Sequence, residues 1–426
     1  MRFKLQILWA LVELKLLKRR YRSNIKGLQS YRWKKFQSIL ARSPFYADLS
    51  KQNDALENYP IMNKQLFMEH FDSINIHGIK KEIANEIALK AELSRIFSPM
   101  INNITVGLSS GTSGNRGLFL IEKKERAQWV ACVLDRIIGF TLKKRSVAFF
   151  LRANSNLYDS VQSNVLKFEF FDLLEDLQLH ISRLNLLNPS ILVAQPSLLL
   201  ELGREIEKGV ISIQPEKIIS VAEVLYPEDK KYLEKVFGQK IHQVYQCTEG
   251  FLASTCNEGV LHFHEDFLII EKKYLDETKT RFHPIITDLK RCSQPIVRYE
   301  LNDIIHELKD CPCGLKTIAI EKIEGRSDDI LIFENNDGFA TKIYPDFFRR
   351  AIIISDESIV DYMLVQRSST MIELYLNGDQ ERFNNAKNEI ELLLQHYLIE
   401  GVEIKRTNIY PHEKGNKLRR ISYEPN

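Results

Sequence analysis

Leu108-Ser109-Ser110-Gly111-Thr112-Ser113-Gly114-Asn115-Arg116-Gly117 is the stretch on which the reading of this 426-residue chain turns. Four hydroxyl residues and three glycines fall within ten positions, a composition foreign to a packed strand or helix. Glycine admits positive φ and close backbone approach. Backbone N–H groups in such a loop can point at one anion, and the hydroxyls of Ser109, Ser110, Thr112 and Ser113 add donors. An apolar strand over 104–108 leads in. A helical pattern follows, with Trp129, Cys132, Val133, Arg136 and Ile137 at three-to-four spacing. A hydroxyl-rich loop ahead of a helix suits a phosphate. It is not a Walker loop, because no Gly-Lys-Ser/Thr closes it. Taken alone, the stretch serves equally as a flexible surface linker.

Working outward, short apolar strands over 147–151, 191–194, 218–221 and 241–245 alternate with helices over 196–208 and 227–237, a pattern of parallel α/β sheet. Each strand ends in polar or small residues: Arg152-Ala153-Asn154, Gln195, Ala222-Glu223, and Gln246 to Glu249. Ligands of such sheets bind at strand carboxyl ends, which favours the phosphate reading of the loop. From about residue 260 the pattern turns strand-rich, with strands over 267–272, 280–287, 296–299 and 304–308. The charged run Glu321 to Asp329 reads as a break and a domain boundary. Beyond it lie strands over 330–333, 362–366 and 371–376 and helices over 344–352 and 382–398. The expected fold class is α/β. Residues 1–325 form a large N-terminal domain of mostly parallel sheets flanked by helices, with a strand-rich subdomain and a helical segment over 1–50. Residues 326–426 form a small α+β C-terminal domain.

Composition bounds the function. Hydrophobic residues make up 44% and charged residues 27%, the balance of an ordinary soluble globular protein. A net charge of +3 leaves no global nucleic-acid footprint. Six cysteines, at 132, 247, 256, 292, 311 and 313, are too few for a disulfide scaffold and indicate a reducing, cytoplasmic compartment. The opening MRFKLQILWALVELKLLKRRYRSN has its apolar run broken by Glu13 and Lys15, so it is too short and too charged to span a bilayer. It also lacks a small-residue cleavage site. Leu5, Leu8, Trp9, Val12 and Leu16 share one helical face, with Lys4, Lys15, Lys18, Arg19, Arg20 and Arg22 supplying positive charge. That helix reads either as a membrane-surface element or as one docked on the protein's own body, and the second is favoured.

Six stretches together carry a resemblance. Ser109 to Gly117 resembles the phosphate loop of the adenylate-forming (AMP-binding) enzymes. Ala222-Glu223 resembles their Gly/Ala-Glu adenine motif, and Tyr245-Gln246-Cys247-Thr248-Glu249 their aromatic-Gly-x-Thr-Glu motif. Arg298-Tyr299 followed by Asp303 resembles their Tyr-Arg-Thr-Gly-Asp region. Gly325-Arg326-Ser327-Asp328-Asp329 resembles their hinge, and Gly415-Asn416-Lys417 the element carrying their catalytic lysine. The order is right and the match covers about residues 105–420. Ser43-Pro44-Phe45-Tyr46, Thr287-Asp288-Leu289, and Gly259-Val260-Leu261-His262 followed by Glu265-Asp266 make the chain most similar to phenylacetate–CoA ligase and its capsule-biosynthesis-type adenylating relatives. Departures are Asn115-Arg116 in the phosphate loop, Gln246 for glycine, Leu301-Asn302 before Asp303, and Asn416 between glycine and lysine. They leave the acceptor and the substrate class open.

The resemblance implies activation of a carboxylate by ATP as an acyl adenylate, pyrophosphate release, and transfer to a nucleophile such as the thiol of coenzyme A. It implies that Ser109, Ser110, Gly111, Thr112, Ser113 and Gly114 hold phosphates, that Thr248 bonds the α-phosphate, and that Glu249 binds Mg²⁺. Ala222 and Glu223 then frame the adenine edge, with Tyr245 and Gln246 beside the ring. Asp303 accepts from the ribose hydroxyls, Arg326 sits at the hinge, and Lys417 reaches the α-phosphate. Asn154 and Tyr158 are candidates for contact with the carboxylate substrate. Cys256, His262, Cys311 and Cys313 match a Cys₃His zinc set that relatives share, with His264 as the alternative to His262. Competing readings are adenylyl transfer to a hydroxyl, and a nucleotide-binding protein of surface-polysaccharide biosynthesis without ligase turnover.

Overall fold

The computed structural model describes residues 2–21, 24–52, 55–94, 99–109, 116–139, 143–151, 166–173, 175–356, 359, 361–410 and 418–425. β1 (Met100–Ile101), β2 (Ile104–Leu108) and β3 (Leu118–Ile121) form an antiparallel sheet. Leu108 pairs with Leu118, so β2 and β3 flank the hydroxyl-rich stretch as neighbouring antiparallel strands. β3 is an addition to the sequence reading. The helix Lys123–Val133 starts only after it, behind a capping box made by Glu122 and Glu125.

The main sheet is mixed and twelve-stranded among the described residues. β4 (Arg145–Leu151), β5 (Leu166–Asp172), β6 (Ile191–Ala194), β7 (Lys217–Val221) and β8 (Ile241–Gln246) run parallel in the order β5-β4-β6-β7-β8. β6 is buried along its whole length, as expected where helices cover both faces. Its residues divide by the two-residue period of a strand: Ile191 and Val193 join one core, Leu192 and Ala194 the other. The helices Leu177–Leu187 and Pro196–Glu207 pack against that second core with Leu177, Ile181, Leu184, Leu198, Leu199, Leu200 and Leu202.

From β8 the sheet continues antiparallel through β9 (Phe251–Thr255), β10 (Leu261–Phe263), β15 (Ala319–Arg326), β14 (Asp303–Leu308), β12 (Arg281–Asp288) and β11 (Leu268–Tyr274), and β13 (Ile296–Glu300) also pairs with β12. The parallel part is therefore five of the twelve strands of one mixed sheet. The run from Glu321 is not a break, because residues 319–326 are strand. Its charges have partners elsewhere: Lys322 meets Asp346 at 2.7 Å, and buried Glu324 accepts from Arg281 at 3.1 Å and faces His306 at 2.7 Å. The chain turns only at Ser327–Asp329.

The last hundred residues build an α+β region with its own core, including Phe333, Phe348, Leu364, Leu374 and Ile390. β16 (Leu331–Glu334) and β17 (Ala340–Ile343) make a hairpin. β20 (Glu403–Arg406), β19 (Met371–Leu376), β18 (Tyr362–Ser368) and β21 (Ile421–Tyr423) make a sheet in that order, beside the helices Pro345–Ser355 and Gln380–His396. At the other end, the helix Arg2–Arg20 packs on Lys123–Val133 and buries Ile7, Leu11 and Leu14. It does dock on the body. The face named from the sequence, Leu5 to Leu16, is however the one left exposed.

Candidate active site

The carboxyl ends of β7 and β8 and the β2–β3 hairpin open on one cleft of about 2750 Å³. At its phosphate-loop side the base of the hairpin is closed by paired bonds. Ser109 N–H donates to the Gly117 carbonyl and Gly117 N–H to Ser109 Oγ, both at 2.8 Å. Arg116 donates to the Ser109 carbonyl at 2.7 Å and pairs with Glu92 at 2.6 Å, so it braces the loop. A Cβ on Gly117 would lie 3.7 Å from both Ser109 Oγ and Thr248 Oγ1; the loop base thus abuts the Thr-Glu pair. Ser110, Gly111, Thr112, Ser113 and Gly114 lie outside the described residues, as do Asn154, Tyr158 and Lys417.

Thr248 Oγ1 donates to Glu249 at 2.7 Å. The Tyr299 hydroxyl donates to the same carboxylate, and burial together with that negative charge raises the tyrosine's pKa, so it stays a donor. Arg291 donates to the Thr248 carbonyl at 3.0 Å. Ala222 has φ +70°, and Glu223 N–H donates back to the Val221 carbonyl at 2.9 Å. This is a γ-turn of the rare positive-φ kind, a strained conformation of the sort concentrated at functional sites. The turn leaves the Glu223 carboxylate accepting from Ser197 N–H and Ser197 Oγ at 3.2 Å and from Leu418 N–H at 3.1 Å. Leu418 follows Lys417 in the chain.

The Tyr245 hydroxyl donates to Asp303, whose other oxygen lies 3.6 Å from Arg326 Nε. Burial and the Asp303 charge push the Tyr245 pKa well up. The tyrosine thus braces Asp303 while its buried ring lines the cleft. The Gln246 side chain accepts from Trp129 Nε1 at 3.1 Å, tying the sheet to the helix Lys123–Val133. Beyond Gln246 the cleft becomes apolar, walled by Trp129, Val133, Ile137, Phe149, Phe168 and Val193. The helix widens there into a π-turn, Leu134–Ile138, a feature frequent at functional sites.

Arg291 is a residue that the sequence reading passed over. It is 7% exposed and lines the cleft. Its Nε and Nη2 are buried without partners among the described residues. Two free guanidinium donors beside Thr248 suit an anion. The signal in the sequence was the basic pair Lys290-Arg291 directly after Thr287-Asp288-Leu289.

Away from the cleft, Cys256, His262, Cys311 and Cys313 put one ligand atom each within 4.8 Å of all the others. The Cys256–Cys311 sulfurs are 3.9 Å apart, and Cys313 Sγ is 3.3 Å from His262 Nε2. Tetrahedral Zn²⁺ with Zn–S bonds of 2.3 Å sets its sulfurs about 3.8 Å apart, so this donor set fits that ion. His262 Nδ1 is held by Thr317 at 3.0 Å, which leaves Nε2 as the inward-facing atom. His264 is engaged with Ser254 at 2.9 Å and the Phe251 carbonyl at 3.1 Å and does not join the cluster. Cys256 ends just past β9, His262 lies on β10, and the Cys-Pro-Cys stretch lies between β14 and β15.

No protein-family model and no curated protein matches the sequence. Solved structures do. The chain aligns with a 2-hydroxyisobutyryl-CoA ligase in the postadenylation state in complex with 2-HIB-AMP at TM-score 0.64 and 14% identity, over 93% of this chain and 89% of that one. It aligns with the acyl acid amido synthetase GH3.15 at TM-score 0.61 and 12% identity, over 97% and 93%. This chain has the adenylate-forming fold. An ATP-bound RpMatB-BxBclM chimera aligns at TM-score 0.53 and 13% identity over 74% of this chain and 66% of that one. The cleft also reaches the α+β region, which lines it with Met363, Leu418, Arg419, Tyr423 and Glu424, and further pairs join the two regions. Arg420 and Asp229 form a buried pair at 2.9 Å, Arg349 meets Glu228 at 2.9 Å, and Arg204 meets Asp361 at 2.6 Å. Burial pushes the Asp229 carboxyl up to about 6 against the pull of Arg420.

Proposed function

We propose that this chain activates a carboxylic acid with ATP and passes the acyl group to a nucleophile. One acid oxygen attacks the α-phosphorus, the bond to the bridging oxygen breaks, and pyrophosphate leaves. The nucleophile, such as the thiol of coenzyme A, then attacks the acyl carbon and AMP leaves. The observation that carries this reading is the convergence, on one cleft, of the Ser109–Gly117 loop base, Thr248-Glu249, Glu223 and the Tyr245–Asp303–Arg326 group.

Such a transfer depends mainly on positioning and charge neutralisation. In this reading the loop 109–114 and Arg291 neutralise the phosphates, and Thr248 orients the α-phosphate. Asp303, held by Tyr245, takes the ribose, while Ala222, Glu223, Tyr245 and Gln246 frame the base. Glu249, a carboxylate at the phosphate end, suits Mg²⁺, which binds through one or two carboxylates plus substrate phosphates; when bound, it would supply charge neutralisation there. Residues 326–426 act as a mobile domain that brings Lys417 to the α-phosphate and then retires. The apolar wall from Trp129 to Val193 favours an acid with a sizeable apolar body. Asn154 and Tyr158 remain candidates for contact with it. Zn²⁺ held by Cys256, His262, Cys311 and Cys313 has a structural role, joining the β9–β10 hairpin to the β14–β15 loop.

The test is pyrophosphate release with Mg·ATP across aryl, fatty and amino acids, with and without coenzyme A. Release that needs one class of acid, and that collapses in Lys417→Ala while ATP still binds, is the expected result. Absence of acid-dependent release from every class, with ATP binding intact, overturns the ligase reading.

A further inference from the structure

The helix Arg2–Arg20 is apolar on two opposite faces. At about 100° per residue, Ile7, Leu11 and Leu14 point one way and are 3 to 9% exposed. They seat the helix on Lys123–Val133, helped by the Lys18–Asp135 ion pair and by Lys123 and Arg126 over the Phe3 ring. The other stripe points away from the protein: Leu5 is 59% exposed, Leu8 54%, Trp9 73%, Val12 42% and Leu16 62%. These five residues span about three turns and are contiguous along one side, so they form a ridge rather than scattered surface apolars. Lys4, Lys15, Arg19 and Arg20 flank the ridge and are exposed, whereas the helix's acid, Glu13, is partly buried. No helix among the described residues is long and apolar enough to cross a membrane.

We propose that this ridge docks the protein on an anionic lipid surface. Leu and Trp side chains with a basic rim are what an interfacial helix presents to acyl chains and headgroups. The rim is complementary to acidic lipid, each exposed Lys or Arg adding attraction within a Debye length. A protein partner of ordinary composition offers no such uniform negative field beside an apolar layer. The supporting helix also has a second role, because Trp129, Cys132 and Val133 on Lys123–Val133 wall the apolar end of the cleft. One helix layer therefore separates the docked ridge from the cavity.

The test is co-sedimentation of the full chain with vesicles of pure phosphatidylcholine and of phosphatidylcholine with about a third phosphatidylglycerol, at low salt and at about 0.5 M salt, where screening is nearly complete. Binding to the anionic vesicles is expected. It should fall at least about 10-fold in Leu8→Glu/Trp9→Glu, and by a similar factor at high salt or in Lys4→Gln/Lys15→Gln/Arg19→Gln/Arg20→Gln. All of these side chains are exposed, so unchanged circular dichroism and thermal unfolding check that the fold survives. No binding to anionic vesicles overturns the proposal, as does equal binding by the Leu8→Glu/Trp9→Glu variant. Self-association that this variant abolishes, without lipid binding, also overturns it and assigns the ridge to a second copy. Neither readout depends on turnover, so the result stands apart from the ligase reading.

Discussion

Asp303→Asn separates a ribose acceptor from a merely structural carboxylate. Asp303 receives the Tyr245 hydroxyl on one oxygen, and its other oxygen lies 3.6 Å from Arg326 Nε. Two carboxylate oxygens offer about four acceptor sites, so positions remain for two ribose hydroxyls. A hydrogen bond to a charged group contributes about 1.5–3 kcal/mol, against about 0.5–1.5 for a neutral pair. Asparagine keeps the shape and loses the charge, so each ribose bond weakens by about 1–1.5 kcal/mol and the two together by about 2–3 kcal/mol. That is about a 30- to 150-fold loss of affinity. Calorimetric titration with ATP and with 2′,3′-dideoxy-ATP reads this directly, because the dideoxy nucleotide has already lost both donors. The variant should lose about 30- to 150-fold with ATP and only a few-fold with the dideoxy analogue. Equal losses with both nucleotides would refute the ribose assignment and leave Asp303 as a support for Tyr245 and the strand it begins.

Three further outcomes follow from the geometry. Purified protein should carry about one zinc per chain by metal analysis, and Cys311→Ser or Cys313→Ser should lose it with a lowered Tm. His264→Asn should retain it, because that ring faces Ser254 and the Phe251 carbonyl; metal content indifferent to the cysteines sinks the site. Arg420→Met should cost about 3–5 kcal/mol in urea unfolding by leaving the Asp229 carboxylate buried and uncompensated. Adding Asp229→Asn should recover part of that loss, and a double variant no better than the single would place the cause elsewhere. His242 is held down at about 4, first by burial and then by Lys217, Lys230 and Lys240. Its folded form therefore stays neutral where the unfolded chain binds a proton, so its contribution is complete above pH 6.5 and is lost as pH falls from there to about 4. Urea midpoints at intervals across that window should fall less in His242→Gln than in the parent, and parallel profiles would exclude the histidine as a source.

The parts legible in the sequence were those whose signals are local. The strand Ile191–Ala194 and the helix Pro227–Phe237 are bounded by an apolar run, a proline at the first helical position and a left-handed Gly238 at the end. Thr248, Glu249 and Glu223 stand directly after strands, where the α/β rule looks for ligand contacts. The misread parts are settled by distant partners. β15 looked like a charged break because nothing near it in sequence shows that Lys322 will meet Asp346, or that Glu324 will be buried against Arg281 and His306. Arg291 gained its place only when β13 and β12 brought it under the Thr248 carbonyl. The opening helix shows two apolar stripes in its sequence; which one docks is decided by the helix Lys123–Val133, more than a hundred residues away.

The same dependence on assembly explains how a strained residue can sit at the centre of the site. Ala222 at positive φ costs about 1–3 kcal/mol, and isolated local sequence offers no reason to adopt it. The Glu223 carboxylate supplies one, since it collects the Ser197 N–H and hydroxyl from the large region and the Leu418 N–H from the α+β region. Hydrogen bonds to a charged acceptor contribute about 1.5–3 kcal/mol each, so two or three of them outweigh the turn. The balance depends on both regions being together: without Leu418 the carboxylate loses the donor it takes from the α+β region. The strained turn that frames the proposed adenine edge is thus coupled, through one carboxylate, to the position of the segment that follows Lys417. In the proposed reaction, a swing of the small region between half-reactions would carry that coupling straight into the proposed nucleotide site.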